Sequence, residues 1–430
     1  MLPALAHKLL RDLRHLSGQV ITIALVVACG ISCFVALRGS FASLKRAQDR
    51  TYHQQHFADL FVQLERAPES VRGRIETLPG VARAESRIVQ PIIVLPPGGG
   101  DPLRGTAVSL PGTADDSDDA GALNRLRLSD GRLPAPDHDD EAILLEVFAR
   151  ARGLSSGSRL DAVVSGRLRH LRIVGLATSP EYILATAPGA LSTDPGRFPV
   201  VWMSRESLAS AFALHGAFNN WVLSLRPLAS PAGVQDAVDR ELEAWGGRGA
   251  LMRSRQPSHQ VLEAKMLSLM SMGTFLPLVF LAVAALLVNL VLSRLVLLQR
   301  PEIATLKALG YSNIEIGRHY LFLVLIVVGL GAAIGLHLGA LLGDTLIHLY
   351  ARYFRLPQLR FLLDARDAVW AASISFLSAV AGAFTAVRQA VALPPAEAMR
   401  PPTPARYHRS LLDRLHLARL LGPTVHMIVR

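Results

Sequence analysis

Charge, aromatic side chains and cysteine are all scarce in this chain. Charged residues are 18% and aromatic residues 6% of the 430, while half of the sequence is apolar. That balance excludes a disordered chain and is unusual for a soluble domain. The two cysteines, Cys29 and Cys33, stand one helical turn apart inside an apolar run, so the remaining residues have no disulfide to rely on. H-E-x-x-H, C-x-x-C and G-x-x-x-x-G-K-[ST] are all absent, and hydrolysis of ATP or peptide bonds is not expected of the chain itself. Gly153-Leu154-Ser155-Ser156-Gly157 fits G-x-S-x-G, but helix-like Glu146 to Arg152 precedes it and strand-like residues from Leu160 follow, the reverse of a nucleophile elbow. A turn is expected there. The acidic clusters Asp115 to Asp119 and Asp137 to Glu141 lack the spaced ligands and glycine of a calcium loop and read as solvated loops.

Long uncharged runs are abundant. Four are long enough to cross a hydrocarbon core, which takes about 20 helical residues: 16–37, 266–293, 319–343 and 368–387. The stretch 207–225 is also uncharged, but His215, Gly216, Asn219 and Asn220 interrupt it, and it reads as a helix followed by a strand. Val26-Val27-Ala28-Cys29 loosely fits a lipoprotein cleavage box behind Lys8, Arg11 and Arg14. The run continues eight residues past Cys29, as a permanent anchor does.

The net charge of +11 first suggests an anionic partner, and its distribution decides otherwise. Segment 38–265 has 27 basic against 26 acidic residues, whereas 1–15, 294–318 and 388–430 hold +9 between them. The surplus flanks the membrane, where anionic headgroups account for it, and no nucleic-acid partner is expected. Lysine is rare, occurring only at Lys8, Lys45, Lys265 and Lys307, so part of the arginine richness reads as genome composition. Four crossings put 1–15, 294–318 and 388–430 on one side, which the positive-inside rule makes cytoplasmic. Segment 38–265 and the short loop 344–367 are then extracytoplasmic. The expected fold is therefore an α-helical membrane protein of four transmembrane helices, one plus three, with a large mixed α+β domain between the first and second.

Within that domain, 59–64, 88–95, 142–147, 171–177, 199–203 and 221–225 read as strands, being β-branched or aromatic and bounded by Gly or Pro. Helices fit over 69–78, over 205–214 and after Ser230-Pro231, the last with Val234, Val238, Leu242 and Trp245 on one face. Residues 38–56 extend the first span outward as a stalk, and 258–265 return beside it.

Gly331, Gly335, Gly339 and Gly343 strip side chains from one face of the third span, so that another helix can approach closely. Ala371, Ser375, Ala379 and Ala383 in the fourth span, also at spacing four, are the expected mate. His337 lies between the glycines and is expected as a neutral imidazole hydrogen-bonded within the bundle. No acidic residue lies within a span to carry a coupling ion, which argues against secondary transport.

The loop 294–318 has a definite design. Pro301 suits a first helical turn, Ile303, Leu306 and Leu309 form an apolar face, and Gly310 can end the helix in the left-handed conformation. Ser312 and Glu315 then form a capping box for the next helix.

The segment Gln299-Arg300-Pro301-Glu302-Ile303-Ala304-Thr305-Leu306-Lys307-Ala308-Leu309-Gly310-Tyr311-Ser312 resembles the signature of the FtsX-like permease family, membrane subunits of type VII ABC transporters. The resemblance covers about 270–395. It extends to an outer domain similar to the MacB-type periplasmic core, through Asp130-Gly131-Arg132-Leu133-Pro134 and Val174-Gly175 with Ser179-Pro180-Glu181-Tyr182. It implies a permease that carries no cofactor itself and pairs with a cytoplasmic ATPase binding Mg-ATP, for export or extraction of a lipid, lipoprotein, peptide or drug-like substrate. Arg300, Glu302, Ile303, Leu306, Lys307, Leu309, Gly310, Ser312 and Glu315 would then form the ATPase-coupling loop. The alternative is a non-transporting scaffold that regulates cell-envelope enzymes. Pro301 departs from the family, which usually has a polar residue there. Many relatives carry two permease units and ten spans. The basic segment holding Arg406, Arg409, Arg414 and Arg419 resembles the approach to a second unit, which implies a split or truncated permease and a second permease subunit. A periplasmic adaptor or lipoprotein is a further partner of this kind of permease.

Overall fold

A computed structural model describes residues 2–111, 122–135, 138–184, 194–354, 356 and 359–392. The acidic cluster 115–119, Asp137 and the basic segment after residue 392 lie outside the described residues.

Among the described residues four helices are long and apolar enough to cross a membrane: α2 (Ser17–Gln54), α7 (Pro257–Leu298), α9 (Asn313–Phe354) and α10 (Ala365–Ala392). At 1.5 Å per residue the 38 residues of α2 measure about 57 Å, well beyond a hydrocarbon core of about 30 Å. Helix therefore protrudes, and two boundaries move. The segment 344–354, expected as loop, is the end of α9, and the expected N-terminal tail is itself a helix, α1 (Leu2–His15). Leu9 and Leu13 recur at helical spacing in α1, and its only proline, Pro3, sits in the first turn, where the missing N–H costs nothing.

The chain divides into two compact units, one of Met1–Val27, Leu281–Gly331 and Ile374–Arg430, the other of Ala28–Phe280 and Ala332–Ser373. In the second unit the outer parts of α2 and α7 run side by side as the sequence predicts. Tyr52 and His259 lie 2.9 Å apart, Gln48 donates to Glu263 at 3.3 Å, and Lys45 pairs with Glu263 at 3.7 Å. Leu44, Ala47, Leu262, Met266, Ile347 and Tyr350 bury the apolar seam of α2, α7 and α9 beneath them.

The β-rich domain holds two sheets. The first joins β1 (Leu60–Pro68), β2 (Val81–Arg87), β10 (Ala217–Leu225) and β11 (Ala250–Met252) in the antiparallel order β11-β1-β10-β2. Against it pack α3 (Arg72–Glu76) and α6 (Pro231–Leu242), whose Ile75, Val234, Val238 and Leu242 cover Trp221 and Leu60. Ser230 caps α6 by accepting the Gly233 N–H at 3.4 Å, with Pro231 in the first turn.

The second sheet comprises β3 (Val89–Leu95), β4 (Leu103–Ser109), β5 (Arg127–Gly131), β6 (Glu141–Leu145), β7 (Arg159–Val164), β8 (Arg167–Thr178) and β9 (Val200–Met203). Its order is β5-β8-β6-β9-β4-β3-β7, and β7 also pairs with β8, so the sheet closes on itself with β5 attached along the end of β8. Closure leaves few free edges and encloses Ile92, Ile143, Leu160, Ile173 and Trp202. Helix α5 (Arg205–Phe212) follows β9 and starts at Ser204, which accepts the Ser207 N–H at 3.1 Å. Of the strands absent from the sequence reading, β2, β4 and β5 are polar or glycine-containing and β11 is only three residues long, and all acquire their conformation from neighbours. The expected strand 142–147 stops at Leu145 because α4 (Glu146–Ala151) begins there.

The two motifs singled out in this domain are junctions. Glu181 accepts two hydrogen bonds from buried Arg87, at 2.8 and 3.3 Å, and one from Asn124 at 3.0 Å, while Asn220 Oδ1 accepts from Arg87 Nε at 3.1 Å and Nη2 at 2.8 Å. One ion pair thus ties the first sheet to the segment leaving β8. Gly131 holds φ +76° with the Val174 carbonyl where a Cβ would stand, and Gly175 presses on Arg132 in return. That contact aims Arg132 at Glu141, a two-pronged pair of 2.7 and 2.5 Å. Glu141, expected in a solvated loop, is 2% exposed. Its carboxyl, bonded by the Arg132 guanidinium and the Ala135 N–H, is held down to about 2. The G-x-S-x-G segment is a turn between α4 and β7, with φ +68° at Gly153 and +90° at Gly157.

Candidate functional site

Helix α8 (Arg300–Ala308) follows α7 after one residue, with Pro301 in its first turn. Glu302 near the start and Lys307 near the end each suit the helix dipole. The helix ends in a Schellman motif: Gly310 N–H donates to Lys307 O at 3.0 Å and Tyr311 N–H to Leu306 O at 3.1 Å, with Gly310 at φ +91°. Two residues later Glu315 accepts the Ser312 N–H at 2.8 Å while Ser312 Oγ accepts the Glu315 N–H at 3.3 Å, and α9 begins. Helix, break and helix are therefore written locally.

The expected apolar face of α8 is only partly inward. Ile303 is 1% exposed and Leu306 half-buried, but Leu309 is 67% exposed. Ile314, just past the break, is 81% exposed and went unremarked in the sequence. Ala304, fully buried beside Ile303, was also missed.

Two of the three charges of α8, Lys307 and Glu302, are occupied within the chain. Lys307 Nζ donates to the Val391 carbonyl of α10 at 2.8 Å, and partial burial lowers its ammonium from the usual range. Glu302 receives Lys8 of α1 at 2.6 Å and faces Arg11 at 3.7 Å. Arg300 is half-buried at the helix start. Helix α8 is thus joined to α7 and α9 by the chain, to α1 through Glu302 and to α10 through Lys307. Beside this contact Asp12 is 3% exposed. Burial pushes its carboxyl up, but hydrogen bonds from His319 and Gln299 and the Lys8 charge outweigh that and hold it below the ordinary value.

The glycine stripe has a different mate from the one expected. A Cβ at Gly331 would meet Ala24 O at 2.7 Å and Val27 at 2.9 Å, at Gly335 Ala28 O and Ile31 at 2.8 Å, and at Gly339 Val35 at 2.7 Å. All five neighbours belong to α2, the first span. Spacing reveals a close approach but carries no information on which helix makes it. Gly343 faces an aromatic ring: Phe361 lies where its Cβ would be, and the same ring blocks Gly39 of α2. Ala371, Ser375, Ala379 and Ala383 are all buried on α10. The close crossing of α10 is made instead by Gly382, where the Ala285 carbonyl of α7 stands in the place a Cβ would take. There Asn289 donates to Gly382 O at 2.8 Å and bonds Thr385, and Ser378 donates to Leu281 O at 3.2 Å. His337 is exposed, about 200° around α9 from Gly335, and not within the bundle as expected.

No group of three or more potential metal ligands occurs among the described residues. One span before and three after a mixed α/β domain define a membrane protein with a large domain outside the spans. Residues 274–395 match the family described as FtsX-like permease C-terminal, so the stretch holding α8, α9 and α10 is an FtsX-like permease domain. Among solved structures the chain is similar to the extracellular domain of a noncanonic ABC-type transporter, YknZ, from Gram-positive bacteria, at 10% identity and TM-score 0.28 over 45% of this chain and 98% of that one. It is also similar to the periplasmic region of MacB from Actinobacillus actinomycetemcomitans, at 7% identity and TM-score 0.30 over 50% and 95%. A third similarity, at 15% identity and TM-score 0.27 over 50% and 98%, is to a domain of a candidate permease protein from Porphyromonas gingivalis. No curated protein matches the chain.

Proposed function

We propose that the chain is the permease subunit of an ABC transporter in a bacterial plasma membrane, with both termini and α8 on the cytoplasmic side. A separate ATPase binds and hydrolyses Mg-ATP, α8 takes up its movement, and the spans pass that movement to the outer domain. The outer domain acts on a lipid, lipoprotein, peptide or drug-like molecule that is exported or extracted, and a second permease subunit completes the assembly. The observation that carries this reading is the α8 projection, which presents Leu309 and Ile314 at 67% and 81% exposure across a tight break while Glu302 and Lys307 are engaged at its own base. Exposed aliphatic side chains on a braced helix suit the apolar cleft of a protein partner. Affinity purification of the full chain in mild detergent tests the reading. Recovery of an ABC ATPase is expected; recovery of a cell-wall hydrolase with no ATPase would replace transport by a scaffold role.

A further inference from the structure

Six side chains, distant in sequence, close a polar network at the base of α8. Lys8 Nζ donates to Glu302 at 2.6 Å and Gln299 Oε1 at 3.2 Å and forms an ion pair with Asp12 at 3.4 Å. Asp12 accepts Gln299 Nε2 at 2.9 Å and His319 Nε2 at 3.3 Å, and Tyr320 OH donates to Gln299 Oε1 at 3.0 Å. Asp12, His319 and Tyr320 are 3%, 7% and 1% exposed. A buried carboxylate with all its partners in place is stiff, because releasing any one leaves charge uncompensated.

We propose that this network makes α1 the lever by which α8 drives the first span. Resting on the role of α8 proposed above, the inference adds a path that chain connectivity does not supply, since the backbone links α8 only to α7 and α9. Helical bonding continues from α1 into α2, with Leu16 N–H on Asp12 O at 3.0 Å and Val20 N–H on Leu16 O at 2.9 Å. A displacement of Glu302 and Gln299 therefore pulls Lys8 and Asp12, and through the bonded turn at Leu16 the start of α2, which runs to Gln54. Lys8 and Asp12 act as positioning residues, touching neither nucleotide nor transported molecule.

The test is hydrogen exchange on the full chain in detergent, for wild type, Lys8→Met, Asp12→Asn and the conservative Lys8→Arg. Amides of 300–309 are expected to exchange about tenfold faster in Lys8→Met and Asp12→Asn, with Lys8→Arg near wild type and α10 unchanged. Equal protection of α8 in all four overturns the network's role. With the co-purified ATPase present, the ATP-dependent change in exchange over 38–54 is expected to vanish in Lys8→Met although the ATPase stays bound; an undiminished change overturns the lever. If wild type retains no ATPase, the transporter reading fails, and exchange over 300–309 still decides whether the network holds α8.

Discussion

Replacing Gly335 by alanine forces α2 and α9 apart. The added Cβ would stand 2.8 Å from both Ala28 O and the Ile31 Cβ, closer than non-bonded carbon tolerates. Reaching an ordinary contact of about 3.5 Å requires a displacement of roughly 0.7 Å, enough to forfeit a quarter to a half of the dispersion well along the contact. Overpacking of this kind costs about 1–3 kcal/mol. Alanine returns up to about 1 kcal/mol of helix propensity, so the substitution is neutral at best and otherwise destabilising. Gly329, six residues away on the same helix, has nothing within 4 Å of a Cβ, and Gly329→Ala keeps the propensity gain without the clash. Thermal unfolding of the two variants in the same detergent isolates the clash. Gly335→Ala should melt several degrees below Gly329→Ala. Equal melting temperatures would refute a tight α2–α9 crossing.

Other perturbations have equally definite outcomes. Glu181→Ala strands the Arg87 guanidinium inside the outer domain and should cost about 3–5 kcal/mol in denaturant unfolding, whereas Arg87→Met with Glu181→Leu should cost less. The Glu141 carboxyl, held down to about 2 from an ordinary 4.5, contributes stability that is fully present above pH 4.5 and lost as pH falls toward 2. Unfolding midpoints over that window should slope in wild type and flatten in Glu141→Gln. Gly310→Ala places a side chain at φ +91° and should destabilise the α8 break by about 1–2 kcal/mol, visible as faster exchange of the Lys307 to Tyr311 amides.

The spans, the stalk, the α8 break and its capping box were legible because each is written in consecutive residues: uncharged runs, helix spacing, a glycine at one position and an S-x-x-E at the next. What escaped the sequence is contact between distant segments. Asp12 meets Gln299 and His319 across separations of 287 and 307 residues, and each is an unremarkable polar residue by itself. Gly382 stands alone and has no stripe to announce its crossing with Ala285. The mate of Gly331, Gly335 and Gly339 was misassigned because two helices offer a small-residue stripe at spacing four, Ala24, Ala28, Ser32 and Ala36 on α2 as well as the one on α10, and spacing alone does not choose between them. Leu309 looked inward because its spacing from Ile303 and Leu306 is helical, yet it stands at the cap, where the helix has already turned away.

The decisive measurement is quantitative co-purification of the ATPase with wild-type chain, Leu309→Asp and Ile314→Asp, compared at matched expression and matched melting temperature. A docking surface across the α8 break requires that both variants lose at least about nine-tenths of the bound ATPase, the equivalent of 1.4 kcal/mol or more, while the spans and outer domain melt as in wild type. Full ATPase recovery with both variants folded would contradict coupling through this projection.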